Sequence, residues 1–115
     1  MSLTADPTLS WIDVCSFDRM ATGRGVCALV GEHQVALFRV GDDQVFALSN
    51  YDPFSGAFVL SRGIVGSTGD APKVASPVYK QSFDLRSGTC LDDGGVSVMT
   101  FSVRVLDDRV LVGLR

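Results

Sequence analysis

Apolar residues recur along this chain on every second position or in short continuous runs, and almost nowhere at the 3.6-residue spacing of a helix. Trp11-Ile12-Asp13-Val14-Cys15 reads as a first strand. Val26–Val30 and Gln34–Val40 flank a turn at Gly31, which predicts a hairpin. Gly41-Asp42-Asp43-Gln44 then turns the chain into Val45-Phe46-Ala47-Leu48. Val96–Val105 and Val110–Leu114 enclose Leu106-Asp107-Asp108-Arg109 as a further hairpin. The one place for helix is a turn or so around Ser16–Ala21. Strands at this density, separated by turn residues, predict an all-β sandwich or barrel. Residues 60–90 differ: Pro72, Pro77, Gly63, Gly66, Gly69 and Gly88 interrupt them, and they read as an irregular segment.

Length sets the scale of what these strands can build. A chain of 115 residues exposes roughly 6,000 Å² when folded, against about 18,000 Å² when open. That is burial enough for one domain, expected over residues 11–115 after a flexible N-terminal extension over 1–10. The 46% hydrophobic and 20% charged composition excludes a disordered chain. The formal charge of −3 argues against a general nucleic-acid binder, which needs a surplus of Lys and Arg. Within residues 60–90, however, Arg62, Lys73, Lys80 and Arg86 outnumber Asp70 and Asp84, giving +2 and leaving −5 for the remainder. A basic segment on an acidic scaffold is a candidate partner surface. The longest apolar run, Val26–Val30, is too short to span a bilayer, and the first residues lack the charged and apolar regions of a secretory signal. The expectation is a cytoplasmic protein with no membrane partner.

The residues able to carry chemistry are few. Cys15, Cys27 and Cys90 are odd in number, which argues for free thiols. No two of them, nor His33, stand at the two-to-four-residue gap of a structural zinc motif. All three cysteines are expected to pack as small hydrophobes. His33, in the turn Gly31-Glu32-His33-Gln34, is expected on the solvated surface. As the lone imidazole it leaves Ser-His-Asp and Cys-His mechanisms poorly supplied. Gly23-Arg24-Gly25-Val26-Cys27-Ala28 matches a dinucleotide fingerprint by letter but is followed by a β-like run instead of a helix. Gly63-Ile64-Val65-Gly66-Ser67-Thr68-Gly69 lacks the Gly-Lys-Ser/Thr ending of a phosphate loop. Both glycine patterns are expected to be loops.

Two segments carry a resemblance. Asn50-Tyr51-Asp52-Pro53-Phe54-Ser55-Gly56-Ala57-Phe58-Val59-Leu60 and Val74-Ala75-Ser76-Pro77-Val78-Tyr79-Lys80-Gln81-Ser82-Phe83-Asp84-Leu85-Arg86-Ser87-Gly88-Thr89-Cys90 resemble the two cluster-binding loops of Rieske proteins. Those loops carry C-P-H-x-G and C-P-x-H-G. Pro53, Gly56, Leu60, Pro77, Phe83-Asp84-Leu85 and Gly88 are retained. A Rieske [2Fe–2S] centre takes two thiolates and two imidazoles. The matching positions here are Asp52, Phe54, Ser76 and Tyr79, so the expected fold is a Rieske-like arrangement of antiparallel sheets without its cluster. The segments Asp52-Pro53-Phe54, Val59-Leu60-Ser61-Arg62-Gly63-Ile64-Val65-Gly66, Pro72-Lys73-Val74-Ala75-Ser76-Pro77 and Lys80-Gln81-Ser82-Phe83 are similar to the small subunits of assimilatory NAD(P)H-dependent nitrite reductases. That likeness runs from about Trp11 to Gly113.

The resemblance implies a subunit without catalytic, cofactor or metal residues of its own. A large partner subunit would carry FAD, sirohaem and an iron–sulfur cluster and pass electrons from NAD(P)H to nitrite. Arg62, Lys73, Lys80 and Arg86 are the candidate contacts with that partner, and Phe54 is expected to pack against Tyr79 to close the loops. A Rieske-type ferredoxin and a stand-alone β-barrel binding module are the competing readings, since a scaffold alone does not determine function.

Overall fold

The computed structural model describes residues 9–114. Residues 1–8, most of the expected N-terminal extension, lie outside the described residues. The strands are β1 (Ser10–Ser16), β2 (Gly25–Val30), β3 (His33–Val40), β4 (Gln44–Ser49), β5 (Tyr51–Asp52) and β6 (Ala57–Phe58). They continue with β7 (Ile64–Thr68), β8 (Ala71–Ala75), β9 (Ser82–Asp84), β10 (Thr100–Phe101), β11 (Val103–Leu106) and β12 (Arg109–Leu114). Short 3-10 turns occupy Phe17–Arg19, within the expected helical turn, and Leu60–Arg62. The protein is thus all-β. No helix among the described residues is long and apolar enough to cross a membrane.

A central antiparallel sheet runs in the order β10-β4-β3-β2. On β3, Val35, Ala36, Leu37 and Phe38 are all fully buried, because both faces of this sheet are covered. Strand alternation sends Ala36 and Phe38 into one core with Leu48, Leu60, Val74, Phe83 and Leu85. It sends Val35 and Leu37 into a second core with Met20, Val30, Ala47, Val110 and Val112. The second core is closed by the sheet β1-β12-β11, and the first by the sheet β7-β8-β9. The folded surface is 6347 Å², close to the size expected from length.

Both anticipated hairpins form. Val30 pairs with His33 across Gly31-Glu32, and Leu106 pairs with Arg109 across Asp107-Asp108. The latter two adopt φ of 50° and 65°, the left-handed pair that a two-residue hairpin turn requires.

β1 begins at Ser10, opposite Leu114. Four expectations are corrected. Residues 60–90 are not irregular: they contain β7, β8 and β9, and Ile64–Thr68 is a strand instead of a glycine loop. Their strands are so short that Gly and Pro within them mask the alternation. The run Val96–Val105 is not one strand. It breaks at Ser102, with β10 pairing to β4 and β11 to β12, so the chain changes sheets there. Ser102 still accepts a hydrogen bond from the Gly113 amide, at 2.9 Å. Cys27 is exposed, because β2 is the edge strand of its sheet, whereas Cys90 is buried as anticipated. Finally, His33 is the first residue of β3, half-buried, with its ring edge-on to Phe101 at 5.5 Å.

Candidate functional site

Two loops meet at one end of the molecule. The first joins β5 to β6 and closes where the Gly56 amide donates to the Asp52 carbonyl, 2.8 Å. The second joins β8 to β9, where the Ser76 amide donates to the Gln81 carbonyl at 2.9 Å and the Lys80 amide to the Ser76 carbonyl at 3.1 Å. Asp52 and Ser76 form the floor between them, and neither is exposed at all.

The Ser76 hydroxyl donates to Asp52 Oδ2 at 2.5 Å. The Ser55 hydroxyl donates to the same oxygen at 3.0 Å, and the Phe54 amide to Asp52 Oδ1 at 2.9 Å. Ser76 Oγ in turn accepts the Val78 amide at 3.2 Å. A buried carboxylate is costly unless hydrogen-bonded, and this one is satisfied on both oxygens. Burial pushes the Asp52 carboxyl up, but donation from Ser76, from the Phe54 amide and from the hydroxyl and amide of Ser55 outweighs it. The group is held below the ordinary carboxylate value.

The aromatic positions do not meet as anticipated. Phe54 is half-buried and leans on Phe83, ring centroids 6.1 Å apart, at the edge of the first core. Tyr79 is 60% exposed. The expected Phe54–Tyr79 closure is therefore replaced by the Asp52–Ser76 bond, because the Phe54 ring turns inward to the apolar core.

Asn50 supports the first loop and was missed in the sequence. It is buried, its side-chain amide donates to the Phe58 carbonyl at 3.1 Å, and its Oδ1 accepts the Ser61 amide at 2.7 Å. Ser55 was missed as well. A signal existed: Asp-Pro-x-Ser is turn chemistry in which the Asp side chain bonds the amide two residues on.

The candidate cations divide. Arg62 ends the 3-10 turn, and at the next residue a Cβ on Gly63 would lie 2.5 Å from the Ala75 carbonyl, so this turn abuts the chain just before Ser76. Lys80 is exposed on the second loop. Lys73 is half-buried in mid-β8 opposite Gly66, over which its stem lies. Arg86 belongs to the far end of the same sheet, where it donates to the Asp70 carbonyl at 3.1 Å beside the β7–β8 turn. It also lines a cleft of about 730 Å³, with His33, Phe46 and Met99. None of Asp52, Phe54, Ser76 and Tyr79 lines that cleft.

Comparison with known proteins agrees with this fold. A family described as the Rieske-like [2Fe-2S] domain matches residues 10–113. The nitrite reductase (NADH) small subunit of Escherichia coli K12 is 47% identical over 101 residues, covering 87% of this chain and 94% of that protein. The Escherichia coli protein NirD, solved by NMR, superposes with a TM-score of 0.86 at 44% identity, over 93% of this chain and 98% of that one. The nitrite reductase [NAD(P)H] large subunit of Klebsiella oxytoca is 45% identical over 107 residues. The match covers 93% of this chain but spans only 11% of the length of that relative.

The [2Fe–2S] group in that family's description can be tested against the residues present. A carboxylate and a hydroxyl already bonded to one another, a phenyl ring turned to the core and a solvated phenol do not match the two thiolates and two imidazoles such a cluster takes. The donor set does not fit the group.

Proposed function

The chain belongs to the Rieske-like [2Fe-2S] domain family and, within it, to the nitrite reductase small subunits, and from that premise we propose that it serves its complex without a redox centre of its own. Reduction of nitrite to ammonium takes six electrons, which no protein side chain supplies without a cofactor. The large subunit therefore holds FAD, an iron–sulfur cluster and sirohaem, takes electrons from NAD(P)H and reduces nitrite. The isolated small chain is catalytically inactive, and the two work together in the cytoplasm.

The observation that carries this reading is the Asp52–Ser76 hydrogen bond, which fills the place where iron would otherwise tie the two loops. The Klebsiella oxytoca relative supports the partnership, because a stretch similar to this chain lies within a single protein named as a large subunit. Arg62, Lys73 and Lys80 are the contacts with the large subunit in this reading. Arg86, at the far end of the sheet, is the weakest of the four candidates.

Affinity purification of the chain from its own host grown on nitrite tests the reading. A co-purifying large subunit with flavin and sirohaem absorption and nitrite-dependent NAD(P)H oxidation is expected. Joint reversal of Arg62 and Lys73 to Glu should weaken that co-elution. A lone monomer recovered from cells that contain the large subunit would overturn the proposal.

A further inference from the structure

Lys80 has a backbone φ of 68°. The other non-glycine residues with positive φ among those described, Asp107 and Asp108, form the two-residue turn of the β11–β12 hairpin, where short polar side chains suit that conformation. Lysine has no such side chain. The loop closure at Ser76 and Gln81 imposes the left-handed geometry on the backbone, and a glycine would adopt it with less strain. Strained positions of this kind gather at functional sites.

What surrounds Lys80 says what the strain serves. Val78 and Tyr79, immediately before it, are 45% and 60% exposed, so three consecutive residues project a valine, a tyrosine and an ammonium into solvent. Their base is rigid, since the Val78 amide is bonded to Ser76 Oγ and Ser76 to the buried Asp52. A preorganised apex loses little entropy on docking, tyrosine is among the usual anchors of an interface, and a cation beside it selects an acidic face. On the β5–β6 hairpin, whose Asp52 bonds Ser76, the Tyr51 and Phe58 rings lie 5.2 Å apart at a tilt of 58° and are 40% and 52% exposed, adding apolar surface.

We propose that the apex Val78-Tyr79-Lys80 is the anchor by which this chain docks on the large subunit, with Lys80 entering an acidic recess and Tyr79 an apolar one beside it. This rests on the reading of the chain as a subunit. It goes further in naming the anchor and the chemistry of the face that receives it. The +2 charge of residues 60–90, within a chain of net −3, favours that acidic partner face.

The test uses the full chain, wild type and variant, titrated onto the purified, cofactor-loaded large subunit, with thermal unfolding of each free variant alongside. Lys80→Gly is expected to raise the melting temperature by about 2–4 °C, through relief of the left-handed strain. The same change should weaken binding about tenfold. Lys80→Arg, which keeps the cation, should bind within about threefold of wild type. Tyr79→Ser should weaken binding about tenfold with an unchanged melting temperature. Raising salt should weaken wild type more steeply than Lys80→Gly. If wild type binds and both Lys80→Gly and Tyr79→Ser bind equally well, the apex is not the anchor and the inference is wrong. If Lys80→Gly melts lower than wild type, the strain argument fails. Failure of wild type itself to bind would defeat the subunit reading, and the inference with it.

Discussion

The Ser76 hydroxyl and the Asp52 carboxylate, 24 residues apart in the chain, are joined by a 2.5 Å hydrogen bond in a place with no solvent exposure. It ties the β5–β6 loop to the β8–β9 loop at the floor of the tip. A charged acceptor makes the bond stronger than a neutral pair, and both Asp52 oxygens are occupied, so the pair fixes the loops without any bound group.

Removing one partner leaves the other buried and short of a bond. Ser76→Ala strips Asp52 of its shortest donor and leaves the Val78 amide without its acceptor. The expected loss is about 1.5–3 kcal/mol in urea unfolding, with an unchanged m-value. A variant as stable as wild type would show that the bond contributes nothing.

Acid should act through the same carboxylate. Asp52 titrates lower in the folded chain than in the unfolded one, so its contribution is complete above the unfolded value of about 3.9 and disappears as pH falls through the folded value. Asp13 is also lowered, by its hydrogen bond to Arg109, but that pair is solvated on the surface and matters less. Stability should therefore decline from about pH 4 downward, and Asp52→Asn should flatten that decline. Parallel pH–stability curves for the two proteins would exclude Asp52 as the acid-sensitive group.

Much of the fold was legible because its larger strands alternate and their turns are chemically marked. Val35-Ala36-Leu37-Phe38 reads as a continuous apolar run for the same reason that it is buried, with a core on either face. The sheet β7-β8-β9 was not legible, since strands as short as Ser82–Asp84 leave no period to detect. Nor was the change of sheet at Ser102, which depends on tertiary pairing and leaves the apolar pattern intact. At the tip, Asp52, Phe54, Ser76 and Tyr79 were all identifiable by position. Their contacts were not: a hydrogen bond across 24 residues has no sequence period, and the inward turn of Phe54 follows from the core it joins.

The aromatic contacts are separable by double-mutant cycles. Phe54 and Phe83 should couple by about 0.5–1.5 kcal/mol, and Phe54 and Tyr79 by close to zero. Tyr79→Ala alone should change stability by less than about 0.5 kcal/mol, as expected for an exposed side chain. A large Phe54–Tyr79 coupling would restore the closure that the structure replaces.

Thiol accessibility gives an independent reading of the sheet order. Cys27, exposed on edge strand β2, should react with a thiol reagent in the native protein, and Cys90 only after unfolding. Cys15 is half-buried and its thiol is pushed up by burial, so it should react more slowly than Cys27. Native labelling of Cys90 before Cys27 would contradict the packing of the first core.

The most direct test of the central claim is the iron and acid-labile sulfide content of the chain, purified without oxygen from iron-replete cells, with its visible spectrum. A tip closed by Asp52 and Ser76 predicts a colourless protein with neither element above background. Two irons and two sulfides per chain, with visible absorption lost on Asp52→Ala, would show that the loops hold a cluster after all and contradict the account.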